Sequence, residues 1–243
     1  MQLQIIEKKA AEFREKWGLG TTEPIVLKSL LQKLNVITLF KPLSPNFSGM
    51  AIKAEENRFM LINANHSFGR QRFSICHELY HLFVQENFTP HQSSAGNEKS
   101  EDKEERNADL FASNLLLPKD GLIKHIPDEE LLKKDKITLG TIISLEQYFG
   151  CSRAALLGRL KELKLVSKDH VSKFYYNVKK SALEYGYSIK IYEPHLEETV
   201  IGDYGQKAKK LFDAEKISEG HYHSLMSAIG IDLLNLDDLS DED

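Results

Sequence analysis

His77-Glu78-Leu79-Tyr80-His81 reads H-E-x-x-H, and these residue types at this spacing could do chemistry together. On a helix, residues four apart lie about 40° apart around the axis and about 6 Å apart along it, so both imidazoles can reach one cation. Glu78 falls about 100° round from His77, near enough to handle a proton of a water at that cation without being a ligand itself. The chemistry such a set supports is metal-assisted hydrolysis, with His77 and His81 as ligands and Glu78 as the catalytic carboxylate. The same letters also occur as a solvated surface pattern, so the surrounding elements must decide.

Two elements have to position the set. From Arg70 to Glu86, Phe73, Cys76, Tyr80 and Phe83 recur on one face of an amphipathic helix, and Ser67 or Asn65 could cap its start. The two histidines flank that face, which places a metal against the core. Tyr80 reads as a core residue rather than a donor to the reaction. A catalytic zinc takes three protein ligands and keeps a fourth position open. A second helix is expected over Glu101 to Leu117, with Ala108, Phe111, Ala112 and Leu115 on its buried face. Glu105 and Asp109 share a side of it, so Glu105 is preferred as the third ligand, with Asp109 as a partner that orients a ligating histidine. Glu104, the alternative ligand, would point about 100° away from that side. The stretch Asn87 to Asp102, rich in Ser, Asn, Gly, Glu and Lys, reads as a mobile surface loop.

The bulk properties narrow the class. The chain has 243 residues, enough for one metal-binding domain and a smaller appended one, and its net charge of −4 argues against general nucleic-acid affinity. Cys76 and Cys151 are its two cysteines, and neither forms a C-x-x-C pair. Met1 to Lys16 alternates charged and apolar residues at helical spacing, unlike a secretory signal. No apolar run approaches the ~20 residues a membrane span needs. A soluble protein of the cytoplasm, with no membrane partner, is the expectation.

Leu3 to Trp17 reads as a helix buried through Ile6, Ala10, Phe13 and Trp17, and a second helix is expected from Thr22 to about Leu34. Strands are expected at Val36 to Phe40, Ser48 to Ala54 and Arg58 to Ile62, the last two joined by a turn at Glu55-Glu56-Asn57. The strand leading into the metal helix would offer a sheet edge to an extended peptide. Short helices follow Pro118. Thr138 to Leu163 then holds two helical stretches around Phe149-Gly150-Cys151-Ser152, similar to a helix-turn-helix. There Ala154, Leu157 and Leu160 would be buried, and Arg153, Arg159, Lys161 and Lys164 would form a solvated face. A helix pair closing the core is preferred to a DNA reader. Beyond His170, helices are expected at Val171 to Tyr185, Gly205 to Ala214 and Ser218 to Ala228, around a β-prone piece at Tyr187 to Tyr192. His221 and His223 diverge by about 200° on a helix and do not make a metal pair. Leu236 to Asp243 reads as a disordered acidic tail. The organisation expected is a metallopeptidase domain over 1–130, a helix-turn-helix-like subdomain over 131–168, and an extension over 169–243 that binds substrate or regulates.

The residues Arg72 to Leu82, then Glu105-Arg106-Asn107-Ala108-Asp109-Leu110-Phe111-Ala112, then Leu115-Leu116-Leu117-Pro118, together resemble the ImmA/IrrE family of metallopeptidases. Ser48-Gly49 and Ile62-Asn63 fit the same approach to the metal helix, and the likeness covers about residues 1–165. The resemblance implies an α+β fold: a mostly helical, zincin-like (gluzincin-like) core, a small N-terminal β-sheet, the helix-turn-helix-like pair and a C-terminal α/β extension. It implies one Zn²⁺ on His77, His81 and Glu105, with Mn²⁺ or Fe²⁺ also able to bind such ligands. It further implies hydrolysis of a partner protein, typically a helix-turn-helix repressor of a mobile element, phage or stress response encoded nearby. Direct DNA binding is not expected. The rival reading is a non-catalytic, metal-stabilised regulator or a toxin–antitoxin component that acts by binding.

Overall fold

The computed structural model describes residues 2–88, 92–94, 102–194 and 199–233. The expected acidic tail, and residues 89–91 and 95–101 of the expected loop, lie outside them. Helix α1 (Gln2–Trp17) and helix α2 (Leu27–Lys33) precede strands β1 (Val36–Lys41), β2 (Phe47–Ala54) and β3 (Asn57–Asn63). Helix α3 (Phe68–Phe83) carries the H-E-x-x-H residues, and β4 (Gln92–Ser94) and α4 (Lys103–Leu116) follow it. Then come α5 (Lys119–His125), α6 (Asp128–Leu131), α7 (Leu139–Phe149), α8 (Arg153–Glu162), α9 (Lys168–Ser172) and α10 (Val178–Glu184). A single 3-10 turn at Lys190–Tyr192, strand β5 (Val200–Ile201), and helices α11 (Tyr204–Asp213) and α12 (Glu219–Ala228) complete the order. The fold is α+β and mostly helical.

The sheet runs β4-β2-β3-β1-β5, with β1 parallel to β3 and the other pairs antiparallel. The β2–β3 hairpin closes through Glu55 in the left-handed region, with Ala54 paired to Asn57. The strand that leads into the metal helix is therefore interior, between β2 and β1, and offers no edge. β4 instead takes the outer side of β2, in a stretch whose polar composition reads as loop. Its register there depends on a partner strand more than forty residues upstream, which local composition cannot report.

One apolar cluster runs from Ile6 of α1 through α3, α4, α7 and α8 to Phe174, and takes in Ile201 of β5. Its middle is aromatic: Phe13 meets Phe111 edge-on at 5.6 Å, and Phe111 also packs on Tyr80 at 5.7 Å. A smaller cluster of Ala208, Met226 and Ile229 seats α11 and α12 against Leu39 and Val200 at the far end of the sheet.

Four differences from the sequence pattern have physical reasons. The helix expected from Thr22 begins only at Leu27, because the buried Arg14 guanidinium donates to the carbonyls of Leu19, Gly20 and Glu23 and holds them in an irregular loop. The helix expected over Val171 to Tyr185 is split at Asn177, which sits in the left-handed region that asparagine tolerates. Tyr187 to Tyr192 forms no strand; the Tyr192 hydroxyl donates to Glu146 Oε2 at 2.6 Å and ends the segment in a 3-10 turn. On α8, Arg153 and Arg159 are buried rather than solvated, and Ala154 is exposed. Arg153 pairs with the wholly buried Glu146 and donates to Phe174 O, while Arg159 reaches Leu117 O at 3.1 Å and Glu162 at 3.2 Å. Burying a carboxylate pushes its pKa up, and Glu146 is raised for that reason despite its partners Arg153 and Tyr192.

Phe111 has no exposed surface and sits between α1 and α3, so Phe111→Ala removes the wedge that sets the spacing of the metal helices. Its expected cost is about 3–5 kcal/mol, read as a lowered midpoint in urea unfolding of the metal-free protein.

Candidate metal centre

Helices α3 and α4 pack antiparallel, so residues that climb one helix meet residues that descend the other. His77 faces Asp109, His81 faces Glu105, and Tyr80 faces Glu104. Helix α4 starts sharply because Asp102 caps it, its carboxylate accepting from Glu104 N at 2.8 Å. Glu104 and Glu105 therefore occupy the first turn, where the helix dipole favours negative charge.

His77 Nε2 lies 3.4 Å from Glu105 Oε2, His81 Nε2 lies 3.2 Å from Glu105 Oε1, and the two Nε2 atoms are 3.2 Å apart. All three donor groups fall within 4.8 Å of one another. The outward ring nitrogens are engaged: His77 Nδ1 with Asp109 Oδ1 at 2.8 Å, and His81 Nδ1 with Gln85 Oε1 at 2.7 Å. With protons on both Nδ1 atoms, both Nε2 lone pairs point at each other and at a carboxylate. Three acceptors so placed need a shared positive charge, a proton or a metal ion, and a donor set of this kind fits a metal. The alternative third ligand, Glu104, is turned to other partners, accepting from the Tyr80 hydroxyl at 2.7 Å and from Asn107.

Electrostatics agree with the geometry. Burial works against a charged His77, but hydrogen bonds to Asp109 and Glu105 and the charge of Glu78 outweigh it, and its pKa is pushed up to about 10. Burial likewise opposes ionised Glu105, yet hydrogen bonds from His77 and His81 hold it well below the usual carboxylate range. In the metal-free protein a proton thus stands where a metal would.

Glu78 is wholly buried, and its carboxylate lies against β2. A Cβ added at Gly49 would sit 2.9 Å from Glu78 Oε1, so the glycine makes room for that side chain. His77 and Glu78 are among the residues that line a cleft of about 620 Å³ between α3, α4 and α8. Ser48, Phe73, Leu110 and Ser113 line it, and Ala154, Ala155 and Gly158 of α8 form its far wall. Phe73, expected on the core face, is half-buried and looks into this cleft. Gly69 lets α8 come this close, since a Cβ there would stand 2.7 Å from the backbone of Cys151 and Ser152. Cys76 is buried behind the site as a free thiol, its pKa pushed up to about 12 by burial, and it serves as a small apolar residue.

All five residues read from the spacing, His77, Glu78, His81, Glu105 and Asp109, come together here. Gln85, Gly49 and the α8 wall were not read from it. Gln85 carried a usable signal, standing one helical turn beyond His81; the other two depend on how distant elements pack. His221 and His223 lie on α12 and take no part in the metal cluster.

Residues 31–161 match the peptidase family Peptidase_M78, the IrrE N-terminal-like domain. The chain belongs to this family. The matched span covers more than half of the chain and includes the five site residues and nearly all of α8. Among curated proteins no similar sequence was found. A metallopeptidase-type function follows from the family, and the His77–His81–Glu105 group is the place in this peptidase domain where a metal ion could sit. Among the described residues, no helix is long and apolar enough to cross a membrane.

Because the metal-free centre holds a proton on His77, metal must displace it. Zinc affinity, measured by chelator competition, is expected to rise about tenfold per pH unit between about pH 6 and 8. The same proton stabilises the metal-free fold. A raised folded-state pKa contributes fully below the ordinary histidine value of 6.5 and is lost as pH climbs towards about 10. Urea midpoints of metal-free protein should fall across that window.

Proposed function

We propose that this chain is a zinc-dependent endopeptidase that hydrolyses a peptide bond in a partner protein. The observation that carries the reading is the convergence of His77, His81 and Glu105, with His77 and Glu78 both lining one cleft. Two imidazoles and one carboxylate are the kind of donor set that catalytic rather than structural zinc sites use. A zinc ion held there supplies polarisation of a carbonyl and acidification of a water, from a pKa of 15.7 towards ~7.

The chain's own residues do the rest. Glu78 takes the proton that water gives up as it attacks the scissile carbonyl, then returns it to the departing amine nitrogen. Burial against Gly49 fixes the direction in which this carboxylate points. Asp109 and Gln85 hold the imidazoles in the tautomer whose Nε2 faces inward.

For the substrate we propose a helix-turn-helix repressor encoded nearby, in the cytoplasm. The likeness of the motif residues to ImmA/IrrE peptidases supports that choice. In the α7–α8 pair, α8 acts as a wall of the cleft and the pair does not act as a DNA reader. Supporting this, Arg153 and Arg159 are buried and engaged with carboxylates and carbonyls of the fold.

Glu78→Gln is expected to keep stoichiometric zinc, measured by metal analysis, while lowering cleavage of a co-purified partner by about 10²–10⁴-fold. His77→Ala and Glu105→Ala should lose the metal itself. Proteolysis that persists undiminished in Glu78→Gln would end the assignment. Gly49→Ala is a second check. Its methyl group must displace the Glu78 carboxylate, so cleavage should fall at least about tenfold with zinc content unchanged.

A further inference from the structure

Among the described residues, one positive charge of the cleft beside Glu78, that of Arg70, has no counter-charge. Arg70 lines the cleft from α3, seven residues before His77, and so lies on nearly the same side of the helix and about 10 Å along it. Its guanidinium is half-buried, and among the described residues its side chain makes no hydrogen bond or ion pair. Every other charge on the lining has work or a partner. Asp109 holds His77, Arg159 and Glu162 hold each other, and Glu78 is the proposed base. His66, the titratable neighbour of Arg70, is itself held neutral-leaning, first by burial and then by the Arg70 charge.

A cation partly removed from water with no counter-charge is costly, and the cost is recovered when an anion enters beside it. The rest of the cleft suits a chain lying across it. Its far wall is Ala154, Ala155 and Gly158, and a Cβ added at Gly158 would meet nothing within 4 Å. An extended peptide advances about 3.3 Å per residue, so a group about three residues from the bond at the metal reaches Arg70.

We propose that Arg70 reads a carboxylate of the substrate, about three residues from the scissile bond, and makes the cleft selective for acidic peptides. The assignment rests on the peptidase reading for the position of the scissile bond. The carboxylate belongs either to an Asp or Glu side chain or to a free C-terminus; both present the same two oxygens to a guanidinium.

The test uses zinc-loaded full-length Glu78→Gln protein, which binds without cutting, on an array of immobilised peptides. One set is C-terminally amidated and carries Asp or Glu against Asn or Gln at each position in turn. A second set has neutral side chains and a free or amidated C-terminus. Acidic members should be retained at least about fivefold better than their amide twins, less so at high salt. Preference within the first set assigns an acidic side chain, and preference within the second assigns the chain end.

Adding Arg70→Ala should abolish the preference, and Arg70→Glu should turn it towards Lys and Arg. Arg70→Gln, with unchanged zinc content and melting temperature, keeps the result readable if either of the others folds poorly. Equal retention of acid and amide members, none of either included, overturns the proposal, as does a preference that survives Arg70→Gln. Wild-type protein that cuts no peptide yet prefers acidic ones refutes the hydrolytic reading and leaves Arg70 as the carboxylate reader.

Discussion

Across the seam between α3 and α4, two imidazoles and a carboxylate share a space in which only a cation satisfies all three. Each is costly to bury alone. Together, with Asp109 and Gln85 behind the rings, they form a cage whose energy depends on what occupies its centre. The antiparallel packing of the two helices is what makes the cage possible, because it sets His81 opposite Glu105 while His77 meets Asp109. Phe13, Tyr80 and Phe111 form the apolar side of the same seam and hold the helices at that spacing.

The helix pair α7–α8 takes its role from this centre. Its left-handed Gly150 turn and Ser152 cap give it the look of a DNA-binding unit. Yet the guanidiniums that would face a phosphate backbone point inward. Arg153 joins Glu146 and Tyr192 in a buried network, and that network also ties the 3-10 turn of the C-terminal part to the core. The small residues on the other side of α8 leave room for a cleft beside the metal centre. A mid-helix glycine at 158 costs stability, about 0.5–1 kcal/mol relative to alanine, and keeps that wall low.

Much of this was legible in the order of residues. The strands β1, β2 and β3, and helices α1, α3, α4, α7, α8, α11 and α12, follow from apolar periodicity and from local stop signals such as Gly150 and Ser152. Periodicity is a local property, so it survives without knowledge of the fold. What failed were segments whose conformation is imposed from outside. The loop before α2 is held by Arg14, the break at Asn177 comes between two short helices, and β4 and β5 become strands through partners far away in the chain.

The sequence by itself determined the chemistry available: two histidines and a glutamate at helical spacing, and an E-x-x-x-D pair at the spacing of one turn. Those relations are set by the pitch of a helix, which is the same in any surroundings. Only the tertiary structure decided that Glu105 and not Glu104 meets the histidines, that Gln85 holds His81, that Gly49 makes way for Glu78, and that α8 forms a wall of the cleft. Each of these depends on how two rigid elements rotate and close against each other, and that is fixed by the packing of a shared core rather than by any one segment.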